Sequence, residues 1–414
     1  MRVDVKRVLM ARLLWGALAI FLASASWAQE PTINYSVEFL PEQEKALVRI
    51  TMTGADWMQY ARFKTKGYDI DNLQATGELE HGEDSFTWRP KSAKAELSYT
   101  VAFMRQRSSG SYDAYMTEDW ALLRGERLIP PIAVKRPKGA ITSVHMDITL
   151  PEGWRSIRTG WPEAGERRYH INNPEYIFPR PAGWMVAGKL ASRREQLGDT
   201  EVIIASPLGE KFKPLEYLAF LAMVWPEVEK AFGTMPEKIL ITGADDPMWR
   251  GGLSAPNSYY IHRDRPLVSA NGTSTPIHEL VHVVTGISGK KTHNWITEGI
   301  AEYYSVELLH RAGAFSANRK AKIFAGLDEW SEEVETLRHK NSTSHITGRA
   351  AVFFHRLDAE LRELTDNEYS LDDLVRALMG KQLDTADLQK AYNELTGKDS
   401  ALLTSELLKK PDSD

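Results

Sequence analysis

The chain has 414 residues, of which 43% are hydrophobic and 26% charged, with a formal net charge of −5. This is the composition of an ordinary globular protein, long enough for two or three domains with sizeable cores, and it excludes a fibrous or disordered chain. The mild acidity gives nucleic acid or an anionic membrane no electrostatic reason to bind, and the lack of any cysteine excludes disulfides, thiol nucleophiles, cysteine-type zinc sites and a lipidated cysteine.

Residues 1–28 read as a secretory signal peptide: Arg2, Lys6, Arg7 and Arg12 precede the apolar run "LLWGALAIFLA", and Ser26 and Ala28 occupy the small positions before a cut between Ala28 and Gln29. Cleavage removes four basic residues and one acidic residue, a net +3, and takes the formal charge from −5 to −8. The alternative is an uncleaved membrane anchor, for which the run is short. No later segment is apolar enough to span a bilayer, so no membrane association is expected after cleavage. An exported chain without disulfides suits a bacterial periplasm.

Residues 29–195 carry short alternating runs such as "INYSVEF", "ALVRITM", "ELSYTVAF" and "VHMDITL", separated by Gly, Pro, Asp and Asn, and predict an antiparallel β-sandwich. The polar stretch "GKLASRREQLGD" (188–199) reads as a joint between domains. The twelve Trp residues are spread along the whole chain, which favours core and interface anchors over a sugar-binding platform. Residues 196–330 change character, with strands at "EVIIAS", "KILITGA" and "SYYIHR", a helix over 214–232, and helical periodicity from Thr275 onward. Residues 331–414 read as a helical C-terminal part, through "GRAAVFFHRLDAELREL", "SLDDLVRALMG" and "DTADLQKAYNEL". The expected class is therefore α+β and multidomain.

The chemistry concentrates in "TPIHELVHVVTG" (275–286). Thr275 and Pro276 suit a helix start, as hydroxyl N-cap and first helical residue, and Gly286 suits a stop. His278 and His282 then lie one turn apart on one helical face and can share a tetrahedral ion, for which zinc is the best match. Glu279 neighbours the first histidine and can reach a water beside the ion, as a general base must. The alternative at this point is a helix that merely carries two histidines. The segment "NWITEGIAEYYS" (294–305) shifts the balance, because Glu298 can supply a third ligand and leave one position open. Glu302, one turn further along, either competes as ligand or accepts the other ring N–H of a bound histidine, and the second role is preferred.

With "HELVH" followed by "WITEGIAEYY", the chain resembles the gluzincin zinc metallopeptidases, and among them the glycyl aminopeptidase family of the aminopeptidase N-like clan. "SYDAYMTEDWALL", "RGGLSAPNS" and the 348–378 segment extend the resemblance over most of the mature chain. It implies a thermolysin-like catalytic domain closed by the C-terminal helices, with His278, His282 and Glu298 holding Zn2+, Glu279 as base, and a peptide or protein as substrate. Cobalt or nickel would suit the same ligands on affinity grounds.

Three departures from the family stand out. A tyrosine that usually precedes the glycine of the later helix by three residues is His345 here, to which the resemblance gives the role of stabilising the oxyanion. The glutamate that usually follows the Gly-Gly-apolar segment and binds the free amine is Ser254, and a hydroxyl cannot pair an ammonium as a carboxylate does. Gly251, Gly252, Leu253 and Ser254 remain candidates for an edge strand along which a peptide lies, but the choice between exopeptidase and endopeptidase stays open. Recognition through the PDZ-like domain that many members append after the catalytic part is not expected. A nucleophilic hydrolase is disfavoured by the lack of a G-x-S-x-G elbow, and "GISGKKT" (286–292) lacks P-loop spacing. The rival from another class is a catalytically inactive peptide-binding protein with a peptidase fold.

Overall fold

The computed structural model describes residues 31–54, 58–135, 143–173 and 178–410. The expected signal peptide lies outside these residues. Among them no helix is long and apolar enough to cross a membrane.

The N-terminal part holds a seven-stranded, a five-stranded and a four-stranded sheet. Alternation decides what each strand faces, since successive side chains point to opposite sides. In Thr32–Leu40 the buried set is Ile33, Tyr35, Val37 and Phe39, and these join Phe63, Trp88, Leu97 and Met185 from other strands in one core shared by the three sheets. The part is not wholly antiparallel: Thr32–Leu40 pairs parallel with Ser143–Thr149, joining segments more than a hundred residues apart.

The second part is built on a five-stranded mixed sheet whose central strands, Thr200–Pro207, Lys238–Ala244 and Ser258–His262, run parallel. Its outer strands, Leu190–Leu197 and Gly252–Ala255, are antiparallel to their neighbours. The polar stretch 188–199 is thus an edge strand instead of the expected joint, and it straddles the expected boundary at 195. Its two arginines and its glutamate are what an edge strand carries, because charge there discourages further pairing.

The central strands are buried on both faces. Val202, Ile204, Ile239 and Ile241 point to the helices, while Ile203, Ala205 and Leu240 point to Trp184, Val186 and Leu122 of the five-stranded N-terminal sheet. Trp184 Nε1–H donates to Leu253 O at 2.8 Å across that interface, tying the N-terminal part to the strand that borders the site.

Seven helices cover the other face among the described residues: α1 Pro214–Phe232, α2 Thr275–Thr285, α3 Asn294–Arg311, α4 Ala317–Trp330, α5 His345–Leu364, α6 Leu371–Leu378 and α7 Thr385–Thr396. Helix α4 lies within the helical periodicity expected from Thr275 onward. Helix α3 packs closely on α5, and Gly299 permits it: a Cβ there would stand 2.6 Å from Ala350 Cβ. The residue beside a candidate ligand is therefore the one that lets two helices meet.

Candidate metal centre and active site

Helix α2 begins with Ser274 as N-cap, its hydroxyl accepting from Ile277 N–H at 3.4 Å, so the cap lies one residue before the expected Thr275. The helix ends at Gly286. Over its length Ile277, Leu280, Val281 and Val284 anchor it in the core, which fixes the rotation that turns His278 and His282 toward α3. Helix α3 is anchored by Trp295, Ile296, Ile300 and Tyr303, and presents Glu298 and Glu302, four apart, to the same space.

Three ligand atoms meet there. His278 Nε2 lies 3.0 Å from His282 Nε2 and 3.3 Å from Glu298 Oε2, and His282 Nε2 lies 3.9 Å from that oxygen. All fall within 4.8 Å of one another. Ligand bonds of roughly 2.0–2.1 Å to zinc in a tetrahedron place ligand atoms about 3.3 Å apart, so the group fits such an ion with little movement. The donor set, two imidazoles and a carboxylate with one vertex left over, is that of a catalytic zinc site.

The surrounding groups hold these donors in place. Glu302 Oε2 lies 2.8 Å from His278 Nδ1, which makes Nδ1 the protonated nitrogen and leaves Nε2 as the free donor. Asn294 Nδ2–H donates to Glu298 Oε1 at 3.4 Å, fixing the oxygen not turned to the histidines. The sequence reading missed Asn294, although it stands one helical turn before Glu298. Burial pulls the His278 imidazole down, but its bonds to Glu298 and Glu302 more than reverse this and raise it above the usual histidine range; an ion among the three donors would displace the proton that Nε2 shares with Glu298. Burial and the adjacent His278 push His282 down to about 4, keeping it neutral as a ligand must be. Glu298 is lifted by burial and lowered more strongly by the two histidines, ending below the usual carboxylate range.

Glu279 is 7% exposed and faces the strand Gly252–Ala255. Burial raises its carboxyl to about 7, against the pull of His278 and of hydrogen bonds from the Ser254 hydroxyl and the Ser254 backbone N–H. Ser254 thus lies against the Glu279 carboxyl, a contact that the residue pattern alone does not foresee. The close approach of strand and helix depends on Gly252, where a Cβ would lie 2.6 Å from Thr275 Cγ2 and 2.9 Å from Glu279 Oε1. His262 N–H donates to Gly251 O at 2.9 Å, so by antiparallel alternation Gly252 and Ser254 turn their backbone groups to the open edge of the sheet. Leu253 turns inward against Tyr260 and Trp184.

Two cavities flank the ligands. One, of about 750 Å³, is lined by His282, Glu298, Ser254, Asn257 and, from the N-terminal part, Trp161 and Asn173. The other, of about 660 Å³, is lined by His278, Glu279, Glu302, Gly251, Gly252 and Trp249, among others. Trp249 is held from the "SYDAYM" strand: its N–H donates to Tyr112 O at 2.8 Å, and the Arg107 guanidinium sits 4.0 Å above its ring.

His345 is not brought to this group. It is exposed at the start of α5 and stacks on Trp330 with ring centroids 4.1 Å apart, while Ser344, Thr347 and Gly348 line the second cavity. The physical reason is directional: helical side chains lean toward the N-terminus, and the first residue has no preceding turn to lie on, so the ring falls across its neighbour.

No protein-family model matches the sequence, and no curated protein matches it in sequence. Solved structures do match in fold. An aminopeptidase N family protein from Idiomarina loihiensis superposes with a TM-score of 0.62 at 15% identity, covering 90% of this chain and 78% of the other. An aminopeptidase A from Legionella pneumophila, in complex with aspartic acid, gives 0.57 at 14% identity, covering 91% of this chain, which spans 49% of that enzyme. An M1 zinc metallopeptidase mutant from Deinococcus radiodurans, bound to a Tyr-Ser-Ala substrate, gives 0.55 at 14% identity, covering 91% and 92%. The chain therefore shares the fold of these aminopeptidase N family and M1 structures, which is of α+β class.

Proposed function

We propose that the protein is an exported zinc-dependent metallopeptidase. The observation that carries this reading is the convergence of His278 Nε2, His282 Nε2 and Glu298 Oε2 within 4.8 Å, with the buried carboxyl of Glu279 beside them and Glu302 behind His278. Zinc bound there would act as a Lewis acid on the peptide carbonyl and make a water acidic enough to attack at neutral pH.

The chain's own residues do the rest. The open edge of Gly252–Ala255 holds the substrate backbone in an extended form beside the base. Glu279, kept near neutrality in its proton affinity, accepts the proton of the attacking water and passes it to the leaving amine. Ser254 orients that carboxylate through two donors, and Glu302 and Asn294 keep His278 and Glu298 in their ligating orientations. His345 has no role in this scheme.

The test is hydrolysis of a peptide library by zinc-loaded wild type and by Glu279→Gln. The variant should bind zinc as the wild type does and lose turnover by several orders of magnitude. Equal turnover in the two proteins would overturn the assignment of the base. No turnover in the wild type at full zinc content would leave the peptide-binding reading in its place.

A further inference from the structure

The position of Glu279 gives the cleft a direction. A base that passes its proton to the leaving amine must sit on the leaving-group side of the cut bond. Glu279 lines the cavity that contains Gly251, Gly252 and Trp249, and it does not line the cavity that contains Asn173 and Asn257. The half of the peptide C-terminal to the cut therefore lies in the first, and the acyl half in the second.

The two halves differ in charge. Among the described residues the acyl side has no cationic lining residue, and Glu298, a candidate ligand, is the one carboxylate that lines it. The leaving-group side contains Arg265, and across Ala270, Asn271, Leu327 and Trp330 it adjoins a further hollow of about 410 Å³ lined by Arg319 and Lys322. Among the described residues none of these three cations has a carboxylate within ion-pair distance: Arg265 Nε–H donates to Arg250 O at 2.9 Å, and Arg319 Nη2–H reaches Ala270 O at 3.5 Å. Neighbouring cations are paired. Arg263 Nε lies 2.8 Å from Asp264 Oδ1, and Lys320 Nζ lies 2.6 Å from Glu307 Oε2. The carboxylates that line the leaving-group side, Glu279, Glu298 and Glu302, are committed to Ser254 and the histidines. In a chain of net negative charge, three unpaired cations are gathered along one end of the cleft.

We propose that this end is a carboxylate-recognising subsite, with Arg265 as its first contact and Arg319 and Lys322 as its extension. It selects peptides that carry a carboxylate C-terminal to the cut bond. The inference rests on the peptidase reading for the direction of the peptide. Either an acidic side chain or a free C-terminus supplies the same chemistry to a guanidinium.

The experiment uses matched peptides with a common neutral core, carrying Asp either N-terminal or C-terminal to the core or not at all, each with a free or an amidated C-terminus. Hydrolysis by the zinc-loaded wild type is read as kcat/KM with the cut site located by mass spectrometry, and binding is read separately on zinc-loaded Glu279→Gln. Peptides with a carboxylate in the C-terminal half should be preferred about tenfold or more over their neutral counterparts in both readouts. In Arg265→Gln, and in the exposed pair Arg319→Gln/Lys322→Gln, the ratio of acidic to neutral peptide should fall toward unity. If amidation alone removes the preference the anion is the chain terminus, and if the preference follows Asp in amidated peptides it is the side chain. Equal ranking of acidic and neutral peptides by the wild type, or a preference untouched in both variants, overturns the proposal. Selective binding by Glu279→Gln without hydrolysis by the wild type would sink the peptidase reading and leave the subsite standing, whereas neither binding preference nor hydrolysis would sink both.

Discussion

Replacing Glu302 by alanine separates a carboxylate that orients a ligand from one that is a ligand. Glu302 Oε2 accepts from His278 Nδ1 at 2.8 Å, with both side chains largely buried at 17% and 13% exposure. Without it the His278 ring loses the contact that fixes its tautomer and its rotation, and Nε2 faces the ion only part of the time. Removing such a partner lowers metal affinity about 10- to 100-fold, or about 1.4 to 2.7 kcal/mol. Glu302→Gln keeps an acceptor oxygen and should lose less, whereas Glu298→Ala removes a donor atom and should lose more than either. The assay is zinc titration against a chromophoric chelator at fixed pH, with circular dichroism to show that each variant is folded. Zinc affinity within about threefold of wild type in Glu302→Ala would refute the orienting role. A loss equal to that of Glu298→Ala would make Glu302 a ligand in its own right.

Ser254→Ala removes one of two donors from Glu279, and because those donors lower a carboxyl that burial has raised to about 7, its loss raises that carboxyl further. The base works ionised, so the acid limb of the kcat/KM profile should move to higher pH while zinc content stays constant. Gly252→Ala forces a Cβ within 2.9 Å of Glu279 Oε1 and should lower kcat/KM about 10- to 100-fold through misplacement of strand and base, again with zinc retained. Arg311 bridges Glu307 at 2.9 Å and Asp372 at 2.6 Å inside the helical core, so Arg311→Ala should cost about 3 to 5 kcal/mol, read in a denaturant melt. Burial lifts the Glu307 carboxyl, but Lys320 and Arg311 hold it below the usual range. This stabilisation is present above the ordinary carboxylate range and is lost as pH falls through the lowered value. An acid melt should show the loss in wild type.

Local spacing made the convergence of the candidate ligands legible. Helical period alone puts His278 and His282, and again Glu298 and Glu302, on common faces, and the cores that orient α2 and α3 come from the apolar positions between them. Helix α1 occupies Pro214–Phe232, the span that periodicity predicted, and the three parallel strands lie where their apolar runs are. What depends on distant partners was not legible. Thr32–Leu40 and Ser143–Thr149 pair parallel across a hundred residues, and no local pattern distinguishes that from two antiparallel strands. The strand Leu190–Leu197 looks like a linker because an edge strand carries charge. Ser254 could be placed beside the strand from its sequence neighbours, but its bond to Glu279 follows only from how Gly252 lets the strand lie on α2. For His345, the register of the motif set its place in the sequence, while the direction of a first-turn side chain decided that it stacks on Trp330.

The proposed function stands or falls on whether His278, His282 and Glu298 together hold one zinc ion. Metal content is measured by plasma mass spectrometry on protein purified without added metal, beside the His278→Ala/His282→Ala double variant. About one zinc per chain is expected in the wild type and none in the double variant. A wild type without zinc after supplementation, or a double variant that keeps it, would remove the site.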